Sequence, residues 1–122
     1  MAPKILIIDD DPVIVKYLSR LLEDNGYQVA VASDGIEGTE MAVKVKPDLI
    51  TLDLDMPREW GPRFYRKMTK NKALKDIPVI VISGLPSSKY SLKKATAYLS
   101  KPFDPEALLE IVQKALKTSE NG

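Results

Sequence analysis

Two hydrophobic periods alternate along the chain. Lys4-Ile5-Leu6-Ile7-Ile8 is a nearly continuous apolar run, the pattern of a strand covered on both faces, and it leads straight into Asp9-Asp10-Asp11. Asp11 followed by Pro12 reads as an N-cap with proline at the first helical position, after which Val13, Ile14, Tyr17, Leu18, Leu21 and Leu22 recur at helical spacing. Asn25-Gly26 ends that helix. Tyr27 to Ala32 is a second strand, and Ser33-Asp34-Gly35 opens a helix carrying Ile36, Met41, Ala42 and Val45 that stops before Pro47. Asp48 to Asp53 is a third strand. A helix from about Gly61 to Lys70 carries Phe64, Tyr65 and Met68, and Pro78 to Ser83 is a fourth strand with its proline at the tolerated first position. The interval from Ser83 to Lys101 leaves room for only about two helical turns, around Lys89 to Ala95, before a fifth strand at Thr96 to Ser100. Asp104, Pro105 and Glu106 open a last helix with Ala107, Leu108, Ile111, Val112, Ala115 and Leu116 on one face. Residues 118–122 form a polar tail expected to fray.

Strands alternating with helices predict parallel βαβ units with right-handed crossovers, hence an α/β, doubly wound, five-stranded parallel sheet with helices on both faces and a shortened fourth helix. In such a sheet the carboxyl ends of the strands line the ligand crevice. Asp9 and Asp10 leave the first strand there, Asp53 the third, Ser83 the fourth and Lys101 the fifth. The stretch from Leu49 to Pro57 is the clearest case: an apolar run ends in Asp53, passes Asp55, and is stopped by Pro57.

Composition narrows the chemistry. With 122 residues the chain is read as a single domain, 1–122. Eighteen Lys and Arg against 17 Asp and Glu leave a net charge of +1, so no global field draws the chain onto nucleic acid or a membrane. Neither is expected as a direct partner. There is no cysteine and no histidine, which excludes disulfides, thiolate metal sites and imidazole ligands. A metal here is therefore a hard ion with oxygen ligands, and clustered carboxylates suit Mg²⁺. The start carries no signal peptide and no run of eighteen apolar residues occurs, so the expected location is cytoplasmic. The convergence thus predicts a divalent cation beside a phosphoryl-sized anion, with one carboxylate placed as nucleophile.

On these motifs the chain resembles a response regulator receiver domain of two-component signalling, of the CheY-like, flavodoxin-like type with strand order 2-1-3-4-5. The matching residues are Asp9-Asp10, Asp53 in Leu52-Asp53-Leu54-Asp55-Met56-Pro57, Gly61, Ser83-Gly84, Tyr98 and Lys101-Pro102-Phe103. The resemblance implies that Asp53 is the phosphoacceptor, taking its phosphoryl group from the phosphohistidine of a sensor histidine kinase or a histidine phosphotransfer protein. It implies that Asp9, Asp10, Asp53 and the backbone carbonyl of Asp55 hold Mg²⁺. Ser83, Gly84, Lys101 and Tyr98 would bind the phosphoryl group and relay the switch to an effector protein through the surface near the fourth helix, fifth strand and last helix. The Lys101-Pro102 bond is expected cis, and Asp55 and Leu85 stand at positions that tune loss of the phosphoryl group. Such a domain is not an enzyme beyond self-phosphorylation and autodephosphorylation.

Several residues depart from the family pattern. Trp60 stands where a small or acidic residue is usual, Ser83 replaces a common threonine, and Thr96-Ala97 replaces the usual Gly-Ala pair. From Arg58 to Asp76 the residues Arg58, Arg63, Arg66, Lys67, Lys70, Lys72 and Lys75 face only Glu59 and Asp76, a solvated basic patch or a dock for an acidic partner. Two other functions use similar residues. The Asp53-Leu54-Asp55 motif also occurs in haloacid-dehalogenase-type phosphohydrolases, but there it sits near the start of a longer, capped chain. A phosphorylation-independent interaction module would share the fold, yet the acidic pair, Asp53, the hydroxyl and Lys101 are all present.

Overall fold

A computed structural model describes residues 2–55, 60–84 and 97–121, with side chains over 2–55, 63–84 and 97–117. Strands β1 (Lys4–Ile8), β2 (Gln28–Ala32), β3 (Leu49–Asp53), β4 (Val79–Ser83) and β5 (Ala97–Ser100) alternate with helices α1 (Pro12–Asp24), α2 (Gly35–Val45) and α3 (Trp60–Lys70), and α4 (Pro105–Asn121) closes the order. All neighbouring strands pair in parallel, in the order β2-β1-β3-β4-β5.

The period-two alternation of the strands divides the core into two layers. Leu6, Ile8, Ile50, Leu52, Val79 and Val81 point to one face, where they meet Ala42 of α2 and Phe64, Tyr65 and Met68 of α3. Ile5, Ile7, Leu49, Ile80 and Ile82 point to the other, against Leu18 and Leu22 of α1 and Leu108, Val112, Ala115 and Leu116 of α4. Because β1, β3 and β4 are buried on both faces, they are apolar nearly throughout. The edge strand β5 alternates half-buried and exposed positions instead.

Local chemistry sets the helix ends. Asp11 caps α1 by accepting the Val13 N–H at 2.9 Å, with Pro12 at the first helical position. Asp34 accepts the Glu37 N–H, while the Glu37 carboxylate reaches back to the Ser33 N–H. Lys46 leaves α2 in the left-handed region at φ 49°, ahead of Pro47, which disfavours a further helical residue before it.

α4 continues through Asn121, so the helix extends into the polar tail. Its apolar stripe ends at Leu116, but no glycine or proline interrupts residues 117–121, so nothing breaks the main-chain ladder there. The expected helix around Lys89 to Ala95, together with Leu85, Met56-Pro57, Arg58 and Glu59, lies outside the described residues, as does the Trp60 side chain. Among the described residues, no helix is long and apolar enough to cross a membrane.

Phe64 is 1% exposed in the layer between β1, β3 and α3. Phe64→Ala should lower unfolding stability by about 3–5 kcal/mol, against within roughly 0.5 kcal/mol for Val43→Ala on the exposed side of α2. Urea denaturation followed by circular dichroism measures both.

Candidate functional site

β1 and β3 end in the same local device. Asp9 follows β1, and its Oδ1 accepts the N–H of Asp11 at 2.9 Å; Asp53 ends β3, and its Oδ1 accepts the N–H of Asp55 at 2.8 Å. Each is an Asp bonded to the backbone two residues on, which turns the chain and fixes the carboxylate. Strand parity then aims both groups together. Asp9 and Asp53 extend the alternation of Ile7 and Thr51, which pair across β1 and β3, and Lys101 extends that of Leu99, which shares a layer with Ile7, so all three leave their strands on the same side of the sheet.

The result is a carboxylate cluster around one ammonium. Lys101 Nζ donates to Asp53 Oδ1 at 3.1 Å and lies 3.7 Å from Asp9 Oδ2 and 3.6 Å from Asp55 Oδ2. Asp9 and Asp53 are each 3% exposed, whereas Asp10 is exposed. Oxygens of Asp9, Asp10 and Asp53 all come within 4.8 Å of one another, so three carboxylates from two strand ends can reach one ion. Such a donor set fits Mg²⁺, a hard cation that takes oxygen ligands and keeps some of its waters.

Electrostatics follow from this crowding. Burial raises the Asp9 pKa to about 6, helped by the nearby Asp53 charge and opposed by the Asp11 N–H and Lys101. For Lys101, burial pulls downward, but the Asp53, Asp9 and Asp55 carboxylates outweigh it and the net shift is upward. The ammonium therefore stays charged across the physiological range.

Ser83 ends β4 with parity opposite to Lys101, and meets a different acid. Its Oγ donates to Asp55 Oδ1 at 2.8 Å, and the Gly84 N–H donates to Asp55 Oδ2 at 2.8 Å. Tyr98 sits on edge strand β5 opposite Val81 and is 39% exposed. The Lys101-Pro102 peptide bond is cis. The structure thus brings Asp9, Asp10, Asp53 and Lys101 into one cluster and joins Ser83 and Gly84 to it through Asp55. The bonds of the Asp55 carboxylate to Ser83 and Gly84 are the feature that motif reading missed, since there the backbone carbonyl was assigned to Mg²⁺ and the position to tuning phosphoryl loss, with no partner for the side chain. Its spacing two residues from Asp53 was the available signal.

The sequence profile of the response regulator receiver domain matches residues 5–113. The chain belongs to that family. Protein Rrf1 of Nitratidesulfovibrio vulgaris is 35% identical over the whole of this receiver domain and 88% of its own length. The DNA-binding dual master transcriptional regulator RpaA of Synechocystis is 39% identical over 97% of this chain, which spans only 51% of RpaA. A CheY-like receiver domain of Methanospirillum hungatei superposes with a TM-score of 0.90 at 30% identity, covering 99% of this chain and 98% of that one. The phosphoacceptor class of two-component signalling is therefore the class of this domain, and the dehalogenase alternative is not favoured.

The Asp9 shift carries a consequence for stability. A carboxyl whose pKa is raised on folding binds more protons folded than unfolded, so stability falls as pH rises from about 3.8 to about 6. Asp9→Asn, which keeps the acceptor for Asp11, should be more stable than the native chain at pH 7 by roughly 1–3 kcal/mol, a difference that vanishes below about pH 4. Urea midpoints at pH 4 and pH 7 test it.

Proposed function

We propose that Asp53 is the phosphoacceptor of this domain and that Asp9, Asp10, Asp53 and the Asp55 backbone carbonyl hold Mg²⁺. The observation that carries the reading is the position of Asp53: buried, at a strand end, 3.1 Å from Lys101 and within reach of the Asp9 and Asp10 oxygens. An oxygen of the Asp53 carboxylate attacks the phosphorus of a phosphohistidine; the P–N bond breaks and its electron pair returns to the imidazole of the donor. Phosphoryl transfer passes through a loose transition state with charge on three equatorial oxygens, so placing the nucleophile and neutralising that charge are the main tasks.

Lys101 supplies a fixed positive charge at the receiving carboxylate, and the Asp55 N–H holds Asp53 in place while it reacts. Mg²⁺, when bound, supplies the remaining charge neutralisation. The acyl phosphate then carries roughly two negative charges in place of the carboxylate's one, on oxygens that attract the Ser83 hydroxyl and the Gly84 N–H. Tyr98 and the surface near β5 and α4 carry the change outward to an effector protein, and a sensor kinase or histidine phosphotransfer protein is the donor. The whole of residues 1–122 acts as one receiver unit. The cytoplasmic setting follows from that donor.

Incubation with Mg²⁺ and acetyl phosphate should add one phosphoryl group per chain, seen by intact mass, and Asp53→Asn should abolish it. Modification persisting in Asp53→Asn overturns the assignment. Because a metal ligand must be deprotonated, Mg²⁺ affinity should fall roughly tenfold between pH 7 and pH 5, as Asp9 gains its proton. Calorimetric titration at the two values measures it.

A further inference from the structure

Asp55 accepts from donors that come from two other strand ends. Its Oδ1 takes the Ser83 hydroxyl, its Oδ2 takes the Gly84 N–H, and Lys101 Nζ lies 3.6 Å from Oδ2. A hydroxyl, a backbone amide and an ammonium converging on one point form an anion-binding set. The anion that fills it is a carboxylate of the chain itself. The fit is close, since a Cβ at Gly84 would stand 3.3 Å from Asp55 Oδ2. A phosphoryl group on Asp53 would draw on Lys101, which already contacts that carboxylate at 3.1 Å, and, on the phosphoacceptor reading above, on Ser83 and Gly84 as well.

We propose that the Asp55 carboxylate is an internal stand-in for the phosphoryl group, holding Ser83, Gly84 and Lys101 in the unmodified domain and leaving them when Asp53 is phosphorylated. The inference rests on Asp53 being the phosphoacceptor. Two anions cannot share these donors without strong repulsion, so one displaces the other. Asp55 has somewhere to go, because its side chain is already 29% exposed and water can receive it. Asp55 thus acts as a positioning residue with two effects. It keeps the Ser83 hydroxyl and Gly84 N–H oriented before reaction, and it opposes entry of any anion, phosphodonor or product analogue alike.

Beryllofluoride, a phosphoryl analogue that binds a carboxylate in the presence of Mg²⁺, tests this on the full chain. Removing the competitor in Asp55→Ala should tighten beryllofluoride binding about tenfold and speed modification by acetyl phosphate, whose P–O bond breaks as acetate leaves with the electron pair. Asp55→Asn, of nearly the same shape but uncharged, should move in the same direction by less. The gain from Asp55→Ala should shrink several-fold in a Ser83→Ala background, because one contested donor is then gone. An equal gain in both backgrounds reduces the effect to simple charge and overturns the stand-in. So does binding no tighter than that of the native chain in a variant with an unchanged circular dichroism spectrum. If the native chain neither binds beryllofluoride nor takes a phosphoryl group, the phosphoacceptor reading itself fails, and this inference with it.

Discussion

The contact between Lys101 and the carboxylates of Asp53, Asp9 and Asp55 is the constraint around which the functional end of this domain is built. Two of those acids are almost fully buried, and buried like charges repel unless a cation lies among them. One ammonium at 3.1–3.7 Å offsets part of that repulsion and leaves a net negative pocket. The residual charge makes the site receptive to a divalent cation. Under the proposed function the same ammonium is also the partner of the phosphoryl group added at Asp53. Structural and chemical roles thus fall on one side chain, and the elevated Asp9 pKa reports first the cost of burying that carboxylate and then the nearness of Asp53.

That arrangement depends on a scaffold stiff enough to hold acids in unfavourable company. The sheet supplies it through two apolar layers, with β1, β3 and β4 buried on both faces and each helix contributing one stripe. Strand ends project from this framework with defined parity, so the reactive groups need only short turns to reach one another. The Asp9 and Asp53 side chains help make those turns themselves, each bonding the N–H two residues on. Such preorganisation suits a reaction in which positioning and electrostatics are the protein's main contributions.

Within the family, that framework serves proteins of different extent. Rrf1 is nearly the same length as this chain, whereas RpaA is about twice as long. The shared part is the receiver domain. In this chain the Asp55 carboxylate, bonded to both Ser83 and Gly84, ties the end of β4 to the turn that follows Asp53.

Much of this was legible along the chain. The continuous apolar strands, the Asp11-Pro12 and Asp34-Gly35 helix starts and the one-polar-residue-per-strand-end pattern are local signals. Each follows from short-range sterics, hydrogen bonding and burial of a periodic face, and together they determined the element order, the sheet and the candidates Asp9, Asp10, Asp53, Ser83 and Lys101. The true extent of α4 was obscured because its last turns carry no apolar stripe to mark them. Only the tertiary structure decided which groups touch: that Lys101 lies closer to Asp53 than to Asp9, and that the Asp55 carboxylate rather than Asp53 holds Ser83 and Gly84. Residues 28 to 48 positions apart in sequence are brought within 3.1 Å by parallel strand pairing, a distance set by register and side-chain rotamer that no linear spacing encodes.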